Sequence, residues 1–102
     1  MNNLSSSERK YLHSQAHHLE PVILIGKNGI KYGTIESIDK MLQTRELIKI
    51  KFHEFKDKKL SLSEKIAKIT HSEIVGIIGH TLIIFRPNPD LEKQQIHFPA
   101  KK

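Results

Sequence analysis

The residues best suited to chemistry in this 102-residue chain are Gly26, Lys27, Asn28 and Gly29, with Lys31 just beyond them. A short apolar run, Val22 to Ile25, stops at Gly26, and a segment with helical spacing begins after Gly29. Glycine has no Cβ, so a loop bounded by two of them lets a polyanion backbone come close. The N–H groups that open the following helix, and its dipole, add potential that favours a phosphate. Lys27 and Lys31 supply formal charge. The plainer reading is a tight turn and nothing more. Two other phosphate-binding patterns fail. A Walker A loop needs four residues between its glycines and then Lys-Ser or Lys-Thr. The dinucleotide fingerprint needs a further glycine ahead of this pair and an acidic residue on a second strand.

Other cations are candidates for the same chemistry. Arg9 and Lys10 fall on the first predicted helix, Lys49 and Lys51 on one face of a predicted strand, and Arg86 after the last strand. Arg86 has a structural alternative, anchoring the tail, and Lys49 and Lys51 could be solubility charges. His13 and His17 stand four apart on a helix, a spacing that can hold a metal. No third ligand accompanies them, and surface histidines are the expected reading. Glu36 and Asp39, beside Lys40, read as solvated pairs. No nucleophile elbow or partnered carboxylate pair is evident, so no catalysis is expected.

Charge supports a polyanion partner. Seventeen Lys and Arg against eleven Asp and Glu give +6 and a pI near 9.7, the balance of a nucleic-acid-binding domain. There is no cysteine, which excludes disulfides and thiolate chemistry and fits a reducing compartment. No apolar run approaches the roughly 20 residues of a membrane span, and the polar N-terminus does not read as a signal peptide. A cytoplasmic protein without a cofactor is expected. Residues 1–98 are expected to form one domain and residues 99–102 a basic tail.

The elements that must position these residues follow from periodicity. Ser5 and Glu8 have capping-box spacing, with Leu4 as a hydrophobic staple. The helix they open is predicted to reach about His18, burying Leu12, Ala16 and Leu19. Val22–Ile25 reads as a strand buried on both faces. A second helix is predicted from Ile30 to about Thr44, with Ile35, Ile38, Met41 and Leu42 on its apolar side. In Leu47–Phe52, Ile48, Ile50 and Phe52 alternate with Lys49 and Lys51. Residues 53–59 read as a charged loop. A third helix, about Leu62 to Ser72, is predicted to turn Ile66 and Ile69 inward. Ile74–Ile78 and Leu82–Phe85 form a hairpin about Gly79-His80, where glycine suits a type II′ turn. The Pro-containing tail is expected to be loosely attached. The order α-β-α-β-α-β-β predicts an α/β fold of two layers. Its sheet is four-stranded and mixed, with helices mainly on one side.

The runs AHHLEPVILIGKNGI, RELIKIKF and GIIGHTLIIFRP, in this order and spacing, resemble the CRM domain (chloroplast RNA splicing and ribosome maturation). The match is nearest to the family's stand-alone bacterial YhbY-type RNA-binding proteins and covers roughly residues 5–98. It implies sheet order 1-2-4-3 with the last strand antiparallel, as in the C-terminal domain of translation initiation factor three. It implies RNA binding and association with precursors of the large (50S) ribosomal subunit. The family's G-x-x-G loop falls on Gly26, Lys27, Asn28 and Gly29, and its terminal-strand arginine on Arg86. Where this chain has His13, relatives often carry Arg. KH domains use a comparable loop to clamp single-stranded RNA. Ribosomal RNA is thus the expected partner, with neither DNA nor membrane, and the chain is expected to be a monomer. The alternative is a basic protein-interaction module that reaches the ribosome through a ribosomal protein.

Overall fold

Ser5 opens the first helix by the reciprocal bonds its spacing predicts. Its hydroxyl accepts from the Glu8 N–H at 3.1 Å, and the Glu8 carboxylate accepts from the Ser5 N–H at 3.0 Å, satisfying two donors that a helix start leaves free. In the computed structural model, which describes residues 4–99, this helix is α1 (Ser6–Ala16). It is followed by β1 (Pro21–Ile25), α2 (Tyr32–Arg45), β2 (Leu47–Phe52), α3 (Lys59–Thr70), β3 (Glu73–Ile78) and β4 (Thr81–Phe85). The Lys101 and Lys102 end of the expected basic tail lies outside the described residues.

The sheet order is β1-β2-β4-β3. β1 pairs parallel to β2, and β4 runs antiparallel to both β2 and β3. The Gly79-His80 connection has φ +59° at Gly79 and no positive φ at His80, the sign pattern of a type II′ turn. One face of the sheet carries the main core. There Ile38 and Leu42 of α2 and Ile66 of α3 pack with Ile48, Ile50, Phe52, Leu82 and Ile84. On the other face Leu12 and Ala16 of α1 meet Leu47, Val75, Ile83 and Phe85. The expectation of two layers is therefore corrected: α1 forms a partial third layer opposite α2 and α3. Its apolar stripe is as short as the second cluster it covers, and it leaves part of that sheet face open.

β1 is the edge strand that the order 1-2-4-3 implies, but its reading as buried on both faces is corrected: Ile25 is fully buried, whereas Leu24 on the open face is 57% exposed. An all-apolar run of this length does not itself distinguish a central strand from an edge. α1 ends at Ala16 and α2 starts at Tyr32, with Lys31 as its cap, whose N–H is taken by the Thr34 hydroxyl at 3.2 Å. α3 begins three residues before its predicted start, after a 3-10 turn at Lys56–Lys58. No side chain caps that start, so the usual signal is missing. Ile69, expected inward, is 45% exposed. Thr70 takes the inward place at the helix end, its hydroxyl bonded to the Ile66 carbonyl at 2.8 Å.

The tail is not loosely attached. Glu46, buried to 1% exposure, accepts the N–H groups of Asn88 (2.6 Å), Gln95 (2.6 Å) and Ile96 (2.9 Å). Beyond them Phe98 lies edge-on to Phe85, with ring centroids 5.9 Å apart, and 5.7 Å from Tyr11. Glu46 sits at φ +63°, a conformation costing about 1–3 kcal/mol for a non-glycine residue. Its three charge-assisted bonds hold it there.

Candidate nucleic-acid interface

β1, β2 and β3 run in one direction, so the segments that follow them gather at one end of the sheet. Three bonds draw these segments together. The Ile25 carbonyl accepts the N–H groups of His53 (2.9 Å) and Glu54 (3.1 Å), tying the segment after β2 to the end of β1. The Phe52 N–H donates to the His80 carbonyl at 2.8 Å, tying in the hairpin. Gly29 then faces the Phe55 ring, which a Cβ added at Gly29 would meet at 3.4 Å.

The glycine loop is a turn closed on itself. The Gly29 N–H donates to the Gly26 carbonyl at 3.0 Å, and neither Lys27 nor Asn28 has positive φ. This fits a type I turn, which favours glycine at its fourth position. Gly29 needs its residue type, at φ +68°. Gly26 does not: a Cβ there would meet nothing within 4 Å. The space beside Gly26 is open to a ligand, and Lys27 and Asn28 point into solvent as the exposed centre of the turn. Because Gly29 gives its amide to the turn, that donor is engaged within the protein.

The charge at this end is strongly positive. Lys27, Lys31, Lys51, Lys56, Lys58 and Lys59 lie in or beside the converging segments, against Glu54 and Asp57. Lys59 Nζ donates to the Gly79 carbonyl and lies 3.3 Å from His80 Nδ1. His80 responds to this field. Its pKa is lowered by desolvation at the hairpin and then by the charges of Lys59, Lys56 and Lys51. The three lysines beside it make this a place where an anion would be stabilised.

Not every predicted contact residue joins this cluster. Lys49 donates its Nζ to the Leu19 carbonyl at 2.9 Å and holds the segment after α1 against the sheet. Arg86 bonds the Asp39 carboxylate (2.7 Å), the Asp39 carbonyl (3.1 Å) and the Thr70 carbonyl (2.8 Å). It braces α2 against the end of α3, and the tail is anchored by Glu46 instead. Asp39 thus pairs with Arg86 and not with Lys40. Arg9 and Lys10 lie on α1, across the sheet from α2. His13, expected as a surface histidine, packs its ring over Gly76, where a Cβ would lie 2.6 Å from Nε2. Among the described residues, no three His, Asp or Glu side chains gather as a metal site. Reading by sequence also missed Phe55, Lys56, Lys58, Lys59 and His80. The available signal was topological: ligands of open α/β sheets sit beyond the carboxyl ends of parallel strands. Residues 53–59 follow β2 just as the glycine turn follows β1.

The model of the CRS1/YhbY (CRM) domain matches residues 4–86. The chain belongs to the CRM domain family. A Haemophilus influenzae protein named as an RNA-binding protein is 34% identical over 99% of this chain and 100% of its own length. YqeI of Bacillus subtilis, named a probable RNA-binding protein, is 32% identical over 94% of this chain and 99% of its own. The solution structure of a Staphylococcus aureus protein superposes with a TM-score of 0.76 at 35% identity, covering 92% of this chain and 99% of that one. This CRM domain therefore shares its architecture with a solved relative. The match ends at Arg86, so the Glu46-anchored tail lies beyond the span of the family model. Among the described residues, no helix is long and apolar enough to cross a membrane.

Proposed function

We propose that this CRM domain binds RNA through the end of the sheet where the glycine turn, the segment after β2 and the β3–β4 hairpin meet. The observation that carries the reading is the gathering of Lys51, Lys56 and Lys59 around the hairpin, at the same end of the sheet as a turn with open space at Gly26. A phosphate set against Gly26 would replace lysine-lysine repulsion with attraction. Lys27 and Asn28 would border it, and Lys31, Lys51 and Lys56 would supply the surrounding charge. Lys49 and Arg86 are left out of this contact set because their head groups already bond within the fold. The names carried by the relatives support RNA as the ligand.

The RNA we propose is ribosomal RNA within large-subunit precursors, with the protein assisting assembly in the cytoplasm and without enzymatic activity. The family resemblance implies this role. The test is direct. Purified protein is titrated into fragments of large-subunit ribosomal RNA in a gel-shift assay, and cell extracts are fractionated by sedimentation. Saturable shifts with bare RNA and cosedimentation with large-subunit precursors are expected. Cosedimentation without any shift of bare RNA would overturn the RNA reading and leave recruitment through a ribosomal protein.

A further inference from the structure

The chain has two tyrosines, four phenylalanines and no tryptophan, and their exposure is uneven. Phe52 and Phe85 are buried, and Tyr11 and Phe98 pack on one another. The two exposed aromatic residues, Tyr32 and Phe55, both stand at the glycine turn. Tyr32 is 78% exposed and is the first residue of α2, three positions after Gly29. Phe55 lies with its ring against Gly29 and is 36% exposed. Neither ring is placed there by core packing, and Lys31 and Lys56 are their chain neighbours.

We infer that Tyr32 and Phe55 form a stacking platform for unpaired nucleobases of an RNA whose backbone lies at the glycine turn. This deepens the proposed function and rests on it. The physical basis is that every base has an apolar π-face, which an exposed ring covers favourably. Lysines beside the ring hold the adjoining phosphates. A paired base hides its faces within the helix, so the platform selects single-stranded or looped RNA over duplex. Tyr32 is the principal surface because it is the more open. Phe55 covers Gly29 and contributes the part of its ring that remains exposed.

The chain's composition supplies the probe. With no tryptophan, Tyr11→Phe leaves Tyr32 as the only tyrosine, and its emission reports stacking directly. The Tyr11→Phe protein is titrated with a single-stranded RNA of about eight nucleotides, an abasic strand of equal length, and a duplex. Saturable quenching by the intact strand is expected, with little from the other two. In parallel, Tyr32→Leu should weaken single-strand binding about tenfold, while Tyr32→Phe keeps it within about threefold, since the ring face survives. Abasic RNA should bind Tyr32→Leu and unsubstituted protein alike. Phe55→Leu is scored only after a thermal melt shows that the turn it covers is intact, so Tyr32 decides the matter. Equal binding of intact and abasic strands, with Tyr32→Leu unaffected, would overturn the platform and leave the RNA-binding reading standing. No binding of any RNA by the unsubstituted protein would overturn both.

Discussion

Gly26 and Gly29 do different work, and single substitutions separate them. Gly29 carries positive φ, whereas Gly26 has ordinary φ and free space. Gly26→Ala should leave stability unchanged or raise it by up to about 1 kcal/mol, through the entropy of the unfolded chain. If RNA backbone approaches at this point, affinity should drop about fivefold or more, the equivalent of roughly 1 kcal/mol. Thermal melts and gel shifts on the same preparation check both halves. Charge at the turn is tested by Lys27→Asp with Asn28→Asp. Both sites are exposed, so stability should change by less than about 0.5 kcal/mol. Affinity should fall at least about tenfold as phosphate attraction turns to repulsion. Lys65→Asp, on the exposed side of α3, is the control and should do less. If the control lost affinity and the turn variant kept it, the surface would lie elsewhere.

His80 adds a pH dependence at the same scale. Its folded pKa lies below the ordinary histidine value, so the folded state holds fewer protons there than the unfolded one. Its contribution to stability is full above the ordinary histidine pKa and is lost as pH falls through the lowered one. A bound phosphate would offset the lysines and raise that pKa, so binding should take up protons and tighten as pH falls from neutrality. His80→Ala should flatten that part of the affinity profile. A pH profile identical in the variant would remove His80 from the interface.

At the scale of elements, the α2–β2 corner decides how the chain's end is held. Glu46→Gln keeps one acceptor oxygen and loses the other. That leaves at least one N–H of the tail without its acceptor in a half-buried setting, for a cost of about 1 kcal/mol. Protease susceptibility between Asn88 and Phe98 should rise with it, and a tail that stayed protected would refute the anchoring role. The packing of α1 can be probed at Gly76, over which the His13 ring lies. Gly76→Ala would force that ring aside, at a cost of about 1–3 kcal/mol typical of overpacking, and His13→Ala should restore most of the loss. Neither contact could be foreseen from periodicity, because each joins residues far apart in sequence.

For the whole molecule, the relevant quantity is how its charge is spread. A net +6 with lysines concentrated at one end of the sheet predicts binding dominated by counterion release. With several phosphates neutralised, log affinity should fall against log salt with a slope of about −2 to −4. Affinity that stayed flat between low and high salt would contradict an electrostatic interface. The same field orients encounters, so association should slow as salt screens it.

Local pattern was enough to read the order of elements, the pairing of the hairpin and the main core, because alternation and helical spacing repeat over several neighbouring residues. Ser5 with Glu8, and Ile48, Ile50 and Phe52 opposite Lys49 and Lys51, were legible in this way. It also singled out the glycine turn, since Gly29 answers a local backbone demand. Tertiary structure alone decided which cations are free. Lys49 and Arg86 look no different from Lys51 in sequence, yet carbonyls of Leu19 and Thr70 and the Asp39 carboxylate engage them. It also decided that the open-sheet side of β1 stays exposed at Leu24, that α1 lies across the sheet from α2, and that Glu46 binds the tail. Most of all, it brought residues 53–59 against the glycine turn and His80 to the same end of the sheet. Parallel strands end on the same side, and which strands lie next to one another is settled by long-range packing that no local pattern encodes.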